Sequence, residues 1–256
     1  MAGLVEGKAG LVTGAAGGIG RATAITLARE GAAGVVVSDL ESRRADGEET
    51  VRLVEEAGGR ARFVAGDVTR AADQEALVRA TVEAFGRLDF AHNNAGVEYH
   101  ATIPETEESE FDRILAVNLK GVWLGMKYQI PQMLAQGGGA IVNTASLAGL
   151  LAVPALGAYI ASKFGVVGLT KTAALEVAND GIRVNCVCPA AIRTYMIEHL
   201  PPERQEELIA PQALKRIGEP SEVAEAVAWL CSDRASFVTG IAMPVDAGST
   251  AGVTIR

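Results

Sequence analysis

The sequence predicts an α/β domain built on a parallel sheet, and three observations predict it. Short apolar runs alternate with helical patterns along the 256 residues, an alternation that joins parallel strands by right-handed crossovers. The first apolar run passes straight into a glycine-rich turn, Gly14–Gly20, and then into a helical pattern. Hydrophobic residues make up 49% of the chain, enough for a large core and too many for a disordered chain. A chain of this length holds one large domain or two small ones. No internal repeat, low-complexity segment or linker interrupts it, so one domain is expected over residues 1–256.

Ala9–Thr13 is the first strand. Gly14-Ala-Ala-Gly-Gly-Ile-Gly20 follows, then a helix over Arg21–Glu30 closed by Gly31. Strand, glycine turn and helix in succession is the context a dinucleotide fingerprint requires. The glycines let the backbone approach a pyrophosphate, and a helix N-terminus offers unpaired N–H groups and a favourable dipole. A plain tight turn is the alternative. Val35–Asp39 is the second strand, and Asp39 ends it nineteen residues past Gly20. An acidic residue about 20 residues on binds a ribose 2′-hydroxyl, and its charge repels the extra phosphate of NADP. No lysine or arginine lies within Gly14–Gly20, and Arg21, Arg43 and Arg44 read as solvated, so NAD is favoured.

A polar helix is expected over about 42–57, ended by Gly58-Gly59, then a strand over Arg60–Ala65 leading to Asp67-Val68. Residues 71–85 are helical by pattern, and Leu88–His92 is a fourth strand ending in Asn93-Asn94-Ala95-Gly96. Residues 107–135 read as one or two largely apolar helices with Asn118 in the middle. That amide is either a satisfied core group or part of a proton relay. Ala140–Thr144 is the strand that presents Ser146, and a helix carries Tyr159 and Lys163 on to about 179. Ile182–Cys188 is a strand leading to Pro189-Ala-Ala-Ile-Arg-Thr194. Residues 195–216, with Pro201-Pro202 and many charges, form an excursion of the kind that makes lids. A helix over Pro220–Cys231, capped by Ser221 or by the preceding turn, and a strand over Gly240–Val245 complete the order.

Composition excludes several classes of partner. The net charge is −8, from 23 basic and 31 acidic residues, with no basic run for nucleic acid or an anionic membrane. No apolar run reaches the roughly 18 residues of a membrane span, and the first residues lack the apolar segment of a signal peptide. Cys186 and Cys188 face the same side of a strand. A metal pair is one reading and inert buried thiols the other; without further Cys or His ligands nearby the second is preferred. Three cysteines, an odd number, fit a reducing cytoplasm.

The chemistry centres on Ser146–Lys163. Tyr159 and Lys163 are four apart, which on a helix stacks them on one face. A nearby ammonium favours phenolate and lowers the tyrosine pKa from about 10, so that the phenol exchanges protons near neutrality. Ser146, thirteen residues before Tyr159, sits where a strand ends, the usual place for a site in an open α/β sheet. Taken alone the Tyr-x-x-x-Lys spacing also suits a solvated helix face; the rest of the chain decides.

Thr13-Gly-Ala-Ala-Gly-Gly-Ile-Gly20, Asp67-Val68, Asn93-Asn-Ala-Gly96, Asn118, Ser146 and Tyr159-Ile-Ala-Ser-Lys163 occur in that order. Together they resemble the classical short-chain dehydrogenase/reductase family from about Leu4 to Ser249. The resemblance implies a single-domain Rossmann fold with about seven parallel strands and helices on both faces, often a homotetramer. It implies that Tyr159 is the catalytic acid/base, that Lys163 lowers its pKa and holds the nicotinamide ribose, that Ser146 binds the substrate oxygen and that Asn118 carries a water relay. It assigns Gly14, Gly18, Ile19 and Gly20 to the pyrophosphate side of NAD, Asp39 to the adenosine ribose, and Asp67 with Val68 to the adenine. Asn94, Ala95 and Gly96 would line the cofactor, and Pro189, Ile192 and Thr194 would contact the nicotinamide. One departure stands out. The family's usual Pro-Gly is Pro189-Ala190 here, and the methyl group either shifts the nicotinamide pocket or is tolerated.

The implied reaction interconverts a secondary alcohol and its ketone, and a cyclic or hydrophobic alcohol is the expected substrate. Leu147, Leu150, Leu151, Val153, Leu156 and Met196 are candidates for an apolar cleft, or for ordinary core packing. Glu98, Tyr99 and His100 are placed near its rim. An NADPH-dependent ketoacyl-type reductase shares the scaffold, but Asp39 speaks against it. A non-catalytic NAD-binding protein has no need of Ser146, Tyr159 and Lys163 together.

Overall fold

A computed structural model describes residues 2–252, apart from the side chain of Met196. Seven strands lie in one sheet: β1 (Ala9–Thr13), β2 (Gly34–Asp39), β3 (Ala61–Ala65), β4 (Phe90–Asn93), β5 (Gly139–Thr144), β6 (Ile182–Pro189) and β7 (Ala242–Val245). All pairings are parallel and the order is β3-β2-β1-β4-β5-β6-β7. The chain winds outward from β1 to β3, then returns to lay β4 on the other side of β1. That reversal opens a crevice at the carboxyl ends of β1 and β4, where α/β sheets bind ligands.

The helices are α1 (Gly18–Arg29), α2 (Arg44–Glu56), α3 (Ala71–Phe85), α4 (Glu108–Leu115), α5 (Gly121–Ala135), α6 (Gly157–Val177), α7 (Tyr195–Glu198), α8 (Pro202–Ile209) and α9 (Pro220–Cys231). They cover both faces of the sheet. Leu11, Val36, Ile141 and Val184 point into one apolar layer with α3, α5 and α6. Val12, Val35, Val37, Val142 and Val187 point into the other with α1, α2 and α9. Successive strand residues feed opposite layers, which is why Val35-Val36-Val37 is apolar without alternation.

Three details differ from the sequence reading or complete it. Residues 108–135 run on as a single helical stretch, but a π-helical turn over Ala116–Lys120 separates α4 from α5. Helix α9 is capped from the preceding turn rather than by Ser221. Glu219 and Glu222 form a capping box there, and Pro220 takes the first helical position. The excursion over 195–216 contains two short, largely exposed helices, α7 and α8. Among the described residues no helix is long and apolar enough to cross a membrane.

Candidate active site

The glycine turn is shaped by close contacts at two of its glycines. A Cβ on Gly20 would stand 2.3 Å from the Gly14 carbonyl oxygen. Gly14 has φ of +63°, and a Cβ there would meet the Ala95 Cα at 2.7 Å. Only glycine permits this approach of the β1 turn to the β4 turn. Gly17 is different: it is extended, and a Cβ would meet nothing nearer than the Arg43 guanidinium at 3.9 Å. It leaves a cradle over the first turn of α1, whose N-cap, Gly17, supplies no side-chain partner. Gly18 opens that turn against Thr194, whose Cγ2 is 3.0 Å from where a Cβ would be. Ile19 packs into the α1 side of the core.

Asp39 ends β2 beside this turn. One carboxylate oxygen accepts from the Ala16 N–H at 3.0 Å and the other from Leu40 at 2.9 Å. The carboxylate is thereby held at the mouth of the crevice with lone pairs to spare. Gly66 N–H bonds the Asp39 carbonyl, which brings Asp67 and Val68 to the same edge. Asp67 accepts from the Thr69 N–H and hydroxyl in a tight Asx turn, and Val68 packs against Gly121. Arg21 corrects the sequence reading. It is not solvated: its guanidinium donates to the Ala16 and Asp46 carbonyls and to Thr50 Oγ1, bracing the glycine turn onto α2. Arg43 and Arg44 are exposed, paired with Asp46 and Glu41. An open glycine cradle at a helix N-terminus with a fixed carboxylate at the neighbouring strand end fits a dinucleotide.

The turn after β4 serves as a brace. The Asn94 side-chain amide donates to the carbonyls of Thr13 and Gly14, at 3.1 and 3.3 Å, so it points into the protein rather than into the crevice. Its carbonyl oxygen accepts from the Thr144 hydroxyl, whose oxygen in turn meets His92 Nε2 at 2.8 Å. With the hydroxyl proton spent on Asn94, His92 donates from Nε2 and is left with an unpaired Nδ1 acceptor. Burial drives His92 down to about 3, so it is neutral. Beneath it Asn93 exchanges bonds with Gln129 and bonds Asn143, which reaches Thr170. This buried amide network ties β4, β5, α5 and α6 together under the site, and the sequence reading missed it. The signal was available in Asn93 and Asn143 at the ends of apolar strands, where a polar side chain needs partners.

Ser146, Tyr159, Lys163 and Asn118 converge at the end of β5. Ser146 sits just past Thr144, and its hydroxyl accepts from the Ala148 N–H at 3.1 Å. Helix α6 carries Tyr159 half-buried and Lys163 almost fully buried. The Lys163 ammonium donates to the Thr144 carbonyl at 2.8 Å and lies 5.5 Å from the Tyr159 ring centroid. Asn118 is fully buried in the π-helical turn. It accepts from the Val97 N–H and donates to the Val97 carbonyl, both at 2.8 Å, and also donates to Ser162 at 3.2 Å. It is therefore a satisfied core amide that clamps the strand of chain after Gly96. A Cβ on Gly96 would stand 3.4 Å from Asn118 Oδ1 and 3.6 Å from Lys163 Nζ, so glycine there keeps the face of the site open.

One expectation is reversed. Burial pushes the Tyr159 phenol up to about 12, with Ser146 opposing and the Glu98 carboxylate adding to the rise. Burial likewise pushes Lys163 down to about 8, with the cysteines of β6 and Glu98 opposing. Desolvation is the largest cause at both groups in the protein alone. The ammonium is aimed at a carbonyl on β5, not at the phenol oxygen.

The remaining sequence candidates lie around these groups. Pro189 ends β6, Ile192 is buried against Gly218, and Thr194 faces Gly18. Ala190 is not among the residues with positive φ, so its methyl group brings no backbone strain. Leu147, Leu150 and Leu151 are partly buried and Leu156 is buried, while Val153 is exposed. Met196 falls outside the described side chains. Cys186 and Cys188 are fully buried, and among the described residues no cluster of three or more metal-ligating side chains exists.

Fold and site together define an α/β scaffold whose crevice at the carboxyl ends of β1 and β4 fits a dinucleotide. A family model described as enoyl-(acyl carrier protein) reductase matches residues 14–250. Cyclohexanol dehydrogenase of Acinetobacter sp. strain SE19 is 42% identical over 253 residues, covering 98% of each chain. Cis-4-hydroxycyclohexanecarboxylate dehydrogenase of Sinomonas cyclohexanicum is 42% identical over 246 residues, covering 95% of this chain and 97% of the relative. A crystal structure of levodione reductase superposes with a TM-score of 0.92 at 38% identity, covering 96% of this chain and 98% of the other. The chain belongs to the short-chain dehydrogenase/reductase family, whose members use a nicotinamide cofactor.

Proposed function

We propose that the protein interconverts a small cyclic secondary alcohol and its ketone with NAD, as one dinucleotide-binding and catalytic unit over residues 1–256. The observation that carries this is the convergence of Ser146, Tyr159 and Lys163 at the end of β5, beside a glycine cradle with a carboxylate at the neighbouring strand end. Gly14, Gly18, Ile19 and Gly20 hold the pyrophosphate, Asp39 the adenosine ribose, Asp67 and Val68 the adenine side. Lys163, the segment Ala95–Gly96 and the chain from Pro189 through Ile192 to Thr194 hold the nicotinamide half. A cofactor held by these residues would supply the hydride acceptor for the carbinol carbon and a positive charge that favours the Tyr159 phenolate.

The chain's own residues do the rest. Ser146 donates to the substrate oxygen, Tyr159 takes the hydroxyl proton in oxidation and returns it in reduction, and Lys163 steadies the phenolate. Asn118 holds Val97 and the π-helical turn beside Lys163, where protons pass toward solvent. The excursion over 195–216 closes over the substrate. Relatives that act on cyclohexane rings support a cyclic substrate, and the partly buried leucines over 147–151 support an apolar one. A panel of cyclic, aliphatic and steroid-like secondary alcohols plus a 3-ketoacyl thioester, followed at the reduced-nicotinamide band with each cofactor, tests it. Turnover of the cyclic alcohols is expected; turnover confined to the thioester would replace this reading with the acyl-carrier one.

The choice of NAD rests on Asp39. Replacing Asp39 with alanine removes the carboxylate that repels a 2′-phosphate. The ratio of kcat/KM for NADP over NAD is expected to rise by about 10- to 100-fold. An unchanged ratio in steady-state kinetics would remove the case for NAD. We also assign a homotetramer in the cytoplasm. An apolar groove on the outer face of α4, α5 and α6, lined by Leu115, Leu119, Trp123 and Leu169, supports self-association. Trp123 is exposed there, and Phe111 of α4 and Phe164 of α6 are exposed as well.

A further inference from the structure

The segment from Gly96 to Ala101 is a strap across the site, tied at both ends. At one end Val97 is clamped by Asn118, and Gly96 lies against Lys163. At the other, the Ala101 N–H bonds the Ala155 carbonyl at 2.9 Å and Ala101 pairs with Leu156, three residues before Tyr159. Ala155 itself has φ of +60°, a left-handed backbone that an alanine adopts only when its surroundings enforce it. The strap thus runs from the lysine to the start of the helix that bears the tyrosine, and Glu98 lies between its two anchors.

Glu98 is unusual for a carboxylate. Its side chain is only 17% exposed, and among the described residues its one side-chain partner is His100, at 2.5 Å from Oε1 and itself 58% exposed. Among the described residues Oε2 has no hydrogen-bond donor. Glu98 stands two residues after Gly96, which lies against Lys163, and three before Ala101, which is tied to the segment leading into Tyr159. A carboxylate left with a free acceptor oxygen in a partly dry site does two things to a ligand. It accepts a hydrogen bond from a hydroxyl on the substrate, and it repels a negative charge.

We propose that Glu98 determines substrate specificity: its free oxygen selects neutral substrates that carry a second hydroxyl group away from the reacting carbon, and its charge excludes carboxylate-bearing ones. This rests on the secondary-alcohol reading and deepens it. A site built to accept from a substrate hydroxyl discriminates strongly against the analogue without it, because the acceptor is then left unpaired. His100 holds Oε1 from the solvent side and leaves Oε2 to the substrate.

The test is a matrix of kcat/KM values with saturating NAD. The substrates are cyclohexanol, the cyclohexane-1,2-, 1,3- and 1,4-diols, and 4-hydroxycyclohexanecarboxylate; the enzymes are wild type, Glu98→Gln and Glu98→Leu. Wild type is expected to prefer at least one diol to cyclohexanol and to use the carboxylate poorly. In Glu98→Leu the diol-to-cyclohexanol ratio is expected to fall by about tenfold, mainly through KM. Glu98→Gln keeps an acceptor and loses the charge, so it is expected to keep the diol preference and to gain about tenfold on the carboxylate relative to cyclohexanol. Ratios within each enzyme cancel any loss of folded protein. Diol and carboxylate ratios that do not move in either variant overturn the proposal while wild-type turnover of cyclohexanol leaves the parent reading standing. No turnover of any of these alcohols by wild type overturns both.

Discussion

Tyr159→Phe is expected to lower kcat for alcohol oxidation by about 10²–10⁴-fold, the range typical of losing a positioned acid/base. Phenylalanine keeps the ring that packs at the start of α6 and removes one oxygen. Lys163 and the glycine turn do not depend on that oxygen for any hydrogen bond of their own, and Ser146, which loses its bond to the phenol, keeps the one it accepts from the Ala148 N–H. The fold and cofactor affinity should therefore survive, measured by thermal denaturation and by quenching of protein fluorescence. The pH profile adds a sharper check. Burial raises the phenol to about 12, so without ligands the base form is scarce at neutral pH. Oxidation consumes the phenolate, so kcat/KM should climb with rising pH toward the alkaline range in the wild type. The residual activity of the variant should lack that climb. A variant that retains wild-type kcat would remove Tyr159 from the chemistry.

Lys163→Met carries the second largest effect. The ammonium is nearly fully buried, donates to the Thr144 carbonyl and faces both Gly96 and the Tyr159 ring. Methionine fills similar volume without the charge. Loss of one preorganised electrostatic group at a reacting centre costs about 10²–10³-fold in kcat, and KM for the cofactor should rise as well. Stability should move the other way or hardly at all. The folded-state pKa of about 8 lies below the unfolded value of 10.5, so the group favours folding at pH above both values. That contribution is lost as pH falls through 8. At neutral pH the fold therefore bears the cost of a buried ammonium, which the variant removes at the expense of one unpaired carbonyl. An active site paid for in this way is consistent with a melting temperature near or above wild type and a collapsed turnover. A large drop in melting temperature would instead make Lys163 a structural residue.

The parts of this protein that were legible in its sequence are those where one residue type is the only physical solution. Gly14 and Gly20 must lack a Cβ for the β1 and β4 turns to touch, and that shows as glycine spacing after an apolar run. Tyr159 and Lys163 share a helix face by spacing alone. Asp39 is read from its place at the end of β2. Other features leave no local mark. One extra residue in the turn around Asn118 makes it π-helical, yet the apolar pattern on either side is unchanged. Arg21 was indistinguishable from a surface arginine until α2 brought Thr50 and the Asp46 carbonyl to it. The direction of the Tyr159 shift depends on how dry the pocket is and on Glu98, sixty-one positions away in the chain, and spacing reports neither.

The most direct test of the central claim follows the hydride itself. Wild type and Tyr159→Phe are given NAD and cyclohexanol deuterated at the carbinol carbon, and the reduced cofactor is examined by mass spectrometry. Deuterium is expected in the reduced cofactor formed by the wild type, matched mole for mole by cyclohexanone, with almost none formed by the variant in the same time. Reduced cofactor without label, or label transferred equally well by Tyr159→Phe, would contradict the account.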